Sequence, residues 1–164
     1  MIEAETAIEI GASPSAIVSW MRDLERYRTI DPKMRRVLSV RWSGDRAQLR
    51  ATGRLRHLPA VPVAFLIRIR GNDAIEVESD PAAWQTRIVK FRGTYHFDET
   101  TPGRTRVLHR QEFTFRTPLG WLLDPYLERW HRRTTREQLV ALRNAIETQA
   151  SKGSAATLVD GGCG

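Results

Sequence analysis

Thr117 to Gln149, TPLGWLLDPYLERWHRRTTREQLVALRNAIETQ, is the stretch whose reading decides the fold. Leu119, Leu123, Tyr126 and Trp130 form an apolar stripe at helical spacing, and Leu139, Leu142 and Ile146 resume one later. Two capping pairs, Thr117-Pro118 and Asp124-Pro125, predict an introductory turn and then a main helix from Pro125 to about Gln149, ~37 Å long at the usual rise per residue. Between the stripes, Arg132 to Gln138 supply almost nothing apolar. Sticky ends and a polar centre suit a helix clamped at both ends over an opening.

The hundred or so residues before this helix alternate like strands. Ile2, Ala4, Thr6, Ile8 and Ile10 alternate with Glu3, Glu5 and Glu9, the period of a half-buried strand whose acidic face is solvated and free to pair with arginines on the outer sheet. Gly11 breaks the run, Ser13-Pro14 opens a helical stretch reaching about Tyr27, with Ile17, Val18 and Met21 on its apolar side, and Asp31-Pro32 stops it. From Lys33 onward alternation returns. Leu38, Val40 and Trp42 share a face, Ser43-Gly44-Asp45 turns, and Leu49, Ala51, Gly53 and Leu55 share the next. Pro59 and Pro62 bracket a connection into Val63, Phe65, Ile67 and Ile69, and Gly71-Asn72-Asp73 turns into Ile75 and Val77. After Asp80-Pro81, Val89, Phe91, Gly93, Tyr95 and Phe97 share one parity, and past Thr101-Pro102-Gly103 so do Val107, His109, Gln111, Phe113 and Phe115. Residues 151–164 are small and Gly-rich and read as a disordered tail behind one domain spanning 1–150.

Composition narrows the functional classes. Hydrophobic residues at 41% and charged residues at 27% are ordinary for a globular chain, and no apolar run approaches a bilayer-spanning length. The N-terminus lacks the basic and apolar parts of a secretory signal and the single cysteine is Cys163, so a cytoplasmic, disulfide-free protein is expected. The net charge of +7 sets 26 lysines and arginines against 19 acidic residues, and 23 of the 26 are arginine, with lysine only at 33, 90 and 152. Genomic base composition explains that bias better than a nucleic-acid partner does. Arg129, Arg132, Arg133 and Arg136 form a helix face that is expected to be solvated, with an anionic ligand headgroup or a transient contact with an anionic membrane as the alternative.

With the apolar parity taken as the inside, Leu49, Ala51, Phe65, Phe91 and Phe113 form a wall into which His57, Tyr95, His109 and Gln111 project, faced by Tyr126 and Trp130 from the long helix. An apolar wall with a few hydrogen-bonding groups is the composition of a small-molecule pocket; the competing reading makes each polar group a satisfied core residue. Tyr95 and His109 are the candidates for general acid or base, because proton shuttling at a carbonyl in a dry cavity needs no more. The histidines at 57, 96, 109 and 131 lack metal-ligand spacing, so no metal is expected, and no cofactor motif is present.

The element order, with the stretches Ser13-Pro14-Ser15-Ala16-Ile17-Val18, Asp23-Leu24-Glu25-Arg26-Tyr27 and Asp31-Pro32, the strand Gly103-Arg104-Thr105-Arg106-Val107 and the Pro118-Leu119-Gly120 turn, resembles the START-like helix-grip superfamily, SRPBCC, which includes polyketide cyclases and lipid-transfer proteins. The resemblance covers residue 2 to about 149. Thr29-Ile30 stands where many members carry a tryptophan before the Asp-Pro. It implies an α+β helix-grip fold, with two short helices after strand one and a seven-stranded antiparallel sheet wrapped around the long helix. It implies binding of a hydrophobic or aromatic molecule such as a lipid, quinone or polyketide, as carrier, sensor or chaperone, in a monomer or homodimer. The alternatives are a polyketide cyclase or aromatase using the same cavity and a toxin-like member of a toxin–antitoxin pair.

Overall fold

The alternation at the N-terminus becomes β1 (Ile2–Ile10), which buries Ile2, Ala4 and Ile10. Its acidic face does pair with arginines, Glu3 with Arg110 at 2.9 Å and Glu9 with Arg104 at 3.7 Å. The computed structural model describes residues 1–57, 59–116 and 118–159, and their side chains except those of 118–126 and 152–159. Two short helices follow β1. The Ser13 hydroxyl accepts from the Ala16 N–H to cap α1 (Pro14–Arg22), and the Asp23 carboxylate accepts from the Arg26 N–H to cap α2 (Leu24–Arg28).

The remaining strands are β2 (Met34–Ser43), β3 (Arg46–Gly53), β4 (Val61–Arg70), β5 (Ala74–Ser79), β6 (Val89–Thr101) and β7 (Arg104–Phe115). A single 3₁₀ turn, Trp84–Arg87, precedes β6. All pairs are antiparallel, in the spatial order β1-β7-β6-β5-β4-β3-β2, so the first strand closes against the last. Helix α3 (Pro118–Val159) packs against β1 and β7 and completes the helix-grip fold. Its later half is tied to the residue after β1 by the Gly11 N–H, which donates to Glu147 Oε1 at 2.9 Å.

Three expectations change. Leu38 is 50% exposed, because register shifts between Met34 and Arg36 and between Val37 and Ser39 break the period of edge strand β2, while Val40 keeps its inward parity opposite Leu49 but is 38% exposed at the sheet edge. Met34 and Val37 join the expected Trp42 in packing against the core. The expected restart of the long helix at Pro125 does not occur, since α3 is one helix from Pro118. It also runs to Val159, so 151–159 are helical rather than a patternless tail, and residues 160–164 lie outside the described residues.

Candidate ligand cavity

Between the concave sheet, α1, α2 and the following loop lies a cavity of about 370 Å³, within the range of small-molecule sites. Its wall is mainly apolar and aromatic. Phe65, Phe91 and Phe113 form a chain of tilted rings, with centroids 5.5 Å and 4.9 Å apart. Gly93 gives this chain room, because a Cβ there would stand 2.9 Å from the tip of the Phe91 ring. Trp84, Ile88 and Val61 belong to the wall yet are 47%, 43% and 36% exposed, which marks the mouth.

The opposite end is polar and fully connected. Lys33 Nζ donates to Gln111 Oε1 at 2.7 Å and to Gln138 Oε1 at 3.3 Å. The Gln111 amide nitrogen donates to Gln138 Oε1 at 3.2 Å and to His109 Nε2 at 2.6 Å, while Thr135 Oγ1 donates to Gln111 Oε1 at 3.3 Å. Gln138 Nε2 donates to the hydroxyls of Tyr95, at 3.0 Å, and Tyr27, and these two hydroxyls share a hydrogen bond of 2.7 Å. His109 Nδ1 lies 3.1 Å from the Thr94 carbonyl. A carbonyl only accepts, so Nδ1 carries the proton and Nε2 is the acceptor for Gln111. The His109 ring stacks on Tyr95 with centroids 3.7 Å apart.

Burial sets the protonation of this layer. Desolvation lowers the His109 pKa to about 3, and it lowers that of His131 to about 3 as well. Desolvation raises the Tyr95 phenol and, joined by its tyrosine neighbour, the Tyr27 phenol, so both stay protonated. It also lowers the Lys33 pKa, against the opposing pull of the Asp31 carboxylate.

Among the sequence candidates, Leu49, Phe65, Phe91, Tyr95, His109, Gln111 and Phe113 line the cavity. Ala51 is fully buried in the packed core without lining it. His57 is exposed and Trp130 half-buried, and both line an outer groove with Arg35, Arg54, Arg56, Arg129 and Arg133 rather than the cavity. The reason is local. His57 lies beyond the end of β3, where strand parity no longer aims a side chain, and Trp130 packs on the small cluster of Ile2, Phe113 and Leu127. The Tyr126 side chain lies outside the described residues. Reading the sequence missed Lys33, Tyr27, Thr135 and Gln138. The polar interval in the long-helix stripe was the available signal for the last two, and the scarcity of lysine was the one for the first.

A family model, polyketide cyclase / dehydrase and lipid transport, matches residues 1–147. The chain belongs to that family. Its fold neighbours agree with this assignment. An aromatase/cyclase, Zhui from Streptomyces sp. R1128, is 15% identical with a TM-score of 0.76, over 90% of this chain and 94% of that one. A protein from Thermus thermophilus is 17% identical with a TM-score of 0.74, over 90% and 98%. A START superfamily protein from Mycobacterium smegmatis is 16% identical with a TM-score of 0.70, over 90% and 98%. No curated protein gives a significant match. At such identities the neighbours speak for the fold, and within this family the specific role is left to the site.

Proposed function

We propose that the protein binds a hydrophobic or aromatic small molecule, of lipid, quinone or polyketide type, inside the cavity, and acts as its carrier, sensor or chaperone. The observation that supports this most is the pairing of an aromatic wall, Phe65, Phe91 and Phe113, with a polar layer at the closed end. Such a site holds a ligand by its apolar body and orients it by one polar group. The acid–base alternative through Tyr95 and His109 loses support. Both ring nitrogens of His109 are engaged and its pKa is near 3, far from a general base that works at neutral pH.

The Arg-rich groove that meets the cavity at Arg54 fits the same reading. Arg54 lines both groove and cavity, and among the described residues Arg35, Arg54 and Arg129 have no carboxylate partner. Unpaired guanidinium groups there suit an anionic headgroup or an anionic membrane from which an apolar ligand is drawn. Native mass spectrometry of the purified full chain, followed by solvent extraction, tests the function. A co-purifying apolar molecule is expected; failure to retain any ligand, together with non-saturable binding of polarity-sensitive dyes, would remove the binding reading.

A further inference from the structure

We propose that Lys33 is a carbonyl-reactive amine, which captures an aldehyde or ketone group of the bound ligand as a reversible imine. This rests on the cavity being a ligand site and adds the functional group that the ligand carries. Lys33 is 8% exposed, lines the cavity, and is the only lysine or arginine buried among the described residues. Its nitrogen is held by two amide oxygens, of Gln111 and Gln138, and among the described residues it forms no ion pair with a carboxylate. Two acceptors match the two N–H bonds of a neutral amine, whose lone pair then stays available. Charge favours the same state, since burial disfavours an ammonium ion.

The composition of the chain sharpens the point. Of its 26 basic residues 23 are arginine, yet the buried position holds a lysine. A guanidinium cannot lose its proton in a protein, whereas a buried lysine can and thereby becomes a nucleophile. The titratable groups that act on Nζ are Asp31 from its own loop, His109 of β7 and His131 of α3, and the Tyr27 and Tyr95 hydroxyls stand one amide further away, beyond Gln138. Asp31 pulls the amine toward the charged form and the buried neutral rings do not.

The reaction balances without an added oxidant or reductant. The nitrogen lone pair attacks the carbonyl carbon, forming the C–N bond as the C=O π pair moves to oxygen, and a proton passes from nitrogen to that oxygen to give a carbinolamine. Loss of the hydroxyl with a second proton from nitrogen releases water and leaves the C=N bond. The Tyr27 and Tyr95 hydroxyls, joined to Lys33 through Gln138, stay protonated; one donates to the other, and the remaining O–H is free to donate to the departing oxygen.

The test treats the full chain with 2-naphthaldehyde and cyanoborohydride near neutral pH and maps the reduced adduct by peptide mass spectrometry. Lys90, which is exposed, serves as the internal reference. Lys33 is expected to be modified at least about tenfold faster than Lys90, because burial favours its neutral, nucleophilic amine whereas an exposed lysine is an ammonium ion that must first lose its proton. 2-Methylnaphthalene, which lacks the carbonyl, should compete at Lys33 and leave Lys90 unaffected, and K33M should lose the fast adduct. The wild-type map carries the test if K33M does not fold. Saturable 2-methylnaphthalene binding with Lys33 no faster than Lys90 would overturn the imine and leave the cavity reading intact. Absence of both would overturn the two together.

Discussion

Tyr95 carries two roles at once, a stacking face for His109 and a hydroxyl shared with Tyr27 and Gln138. Tyr95→Phe keeps the first and deletes the second, so chemical denaturation should show a loss of about 1 to 3 kcal/mol with the fold retained. His131 is the opposite case. Its ring is buried, lies edge-on to Phe113 at 4.8 Å, and its nitrogens make no hydrogen bond of normal geometry among the described residues, although the Gln111 backbone lies near enough to pull its pKa upward against the larger effect of burial. Replacing it with leucine removes two buried unsatisfied atoms, and a gain of about 1 kcal/mol or more in unfolding free energy is expected. The two buried histidines also set a pH dependence. Their folded pKa values, about 3, lie below that of an unfolded histidine. The unfolded chain therefore takes up protons first, so stability is complete above about pH 6.5 and falls by up to about 1.4 kcal/mol per histidine for each pH unit below it, until about pH 3. Melting midpoints measured across this range check the slope, and H109L should flatten it. At this scale strand parity was enough to turn Tyr95, His109 and Gln111 inward. It could not find Lys33, because a lysine beside an Asp-Pro turn is expected to be solvated unless long-range packing covers it.

Among the elements, α3 shows how a correct pattern led to a wrong picture. The break in its stripe was legible, but His131, Thr134, Thr135 and Gln138 are buried, and Thr135 and Gln138 form the helix side of the cavity's polar layer. A helical stripe need not be apolar where the surface it meets is polar, and no helix pattern alone reports on the surface it meets. The strand order was more legible, because tight turns between alternating runs leave few arrangements other than a meander. β2 escaped since its bulges add residues that a period of two does not anticipate. In β6, Gly93→Ala should press on the Phe91 ring and change the affinity of an apolar dye several-fold at a stability cost of about 1 kcal/mol or less, read by fluorescence titration and denaturation together. Among the described side chains of α3 the last buried one is Ile146, and residues 147–151 are exposed. Truncation after Ala150 should therefore shift the melting midpoint little, and a large drop would show that the final turns are packed.

For the molecule as a whole, the charge of +7 and the Arg-rich groove predict attraction to anionic surfaces. Co-sedimentation should be stronger with phosphatidylglycerol vesicles than with phosphatidylcholine, should weaken as salt shortens the screening length, and should fall further in R54E and R129E by about 1 kcal/mol each. Equal binding to both lipids would leave the arginines a merely solvated face. The closing of β1 on β7 has another consequence, which concerns the order of events during synthesis. Ile2 lies opposite Phe113 and Ile10 opposite Thr105, so the first strand made can find its only neighbour after nearly the whole sheet has left the ribosome. Long-range pairing of this kind is slow and leaves strand edges open while it waits. Until α3 emerges, the concave apolar face is a surface for chaperones or for unwanted pairing with other nascent chains. A molecule that fills the cavity adds its binding free energy to the finished state alone, so producing the protein in its presence should raise the yield of folded chains.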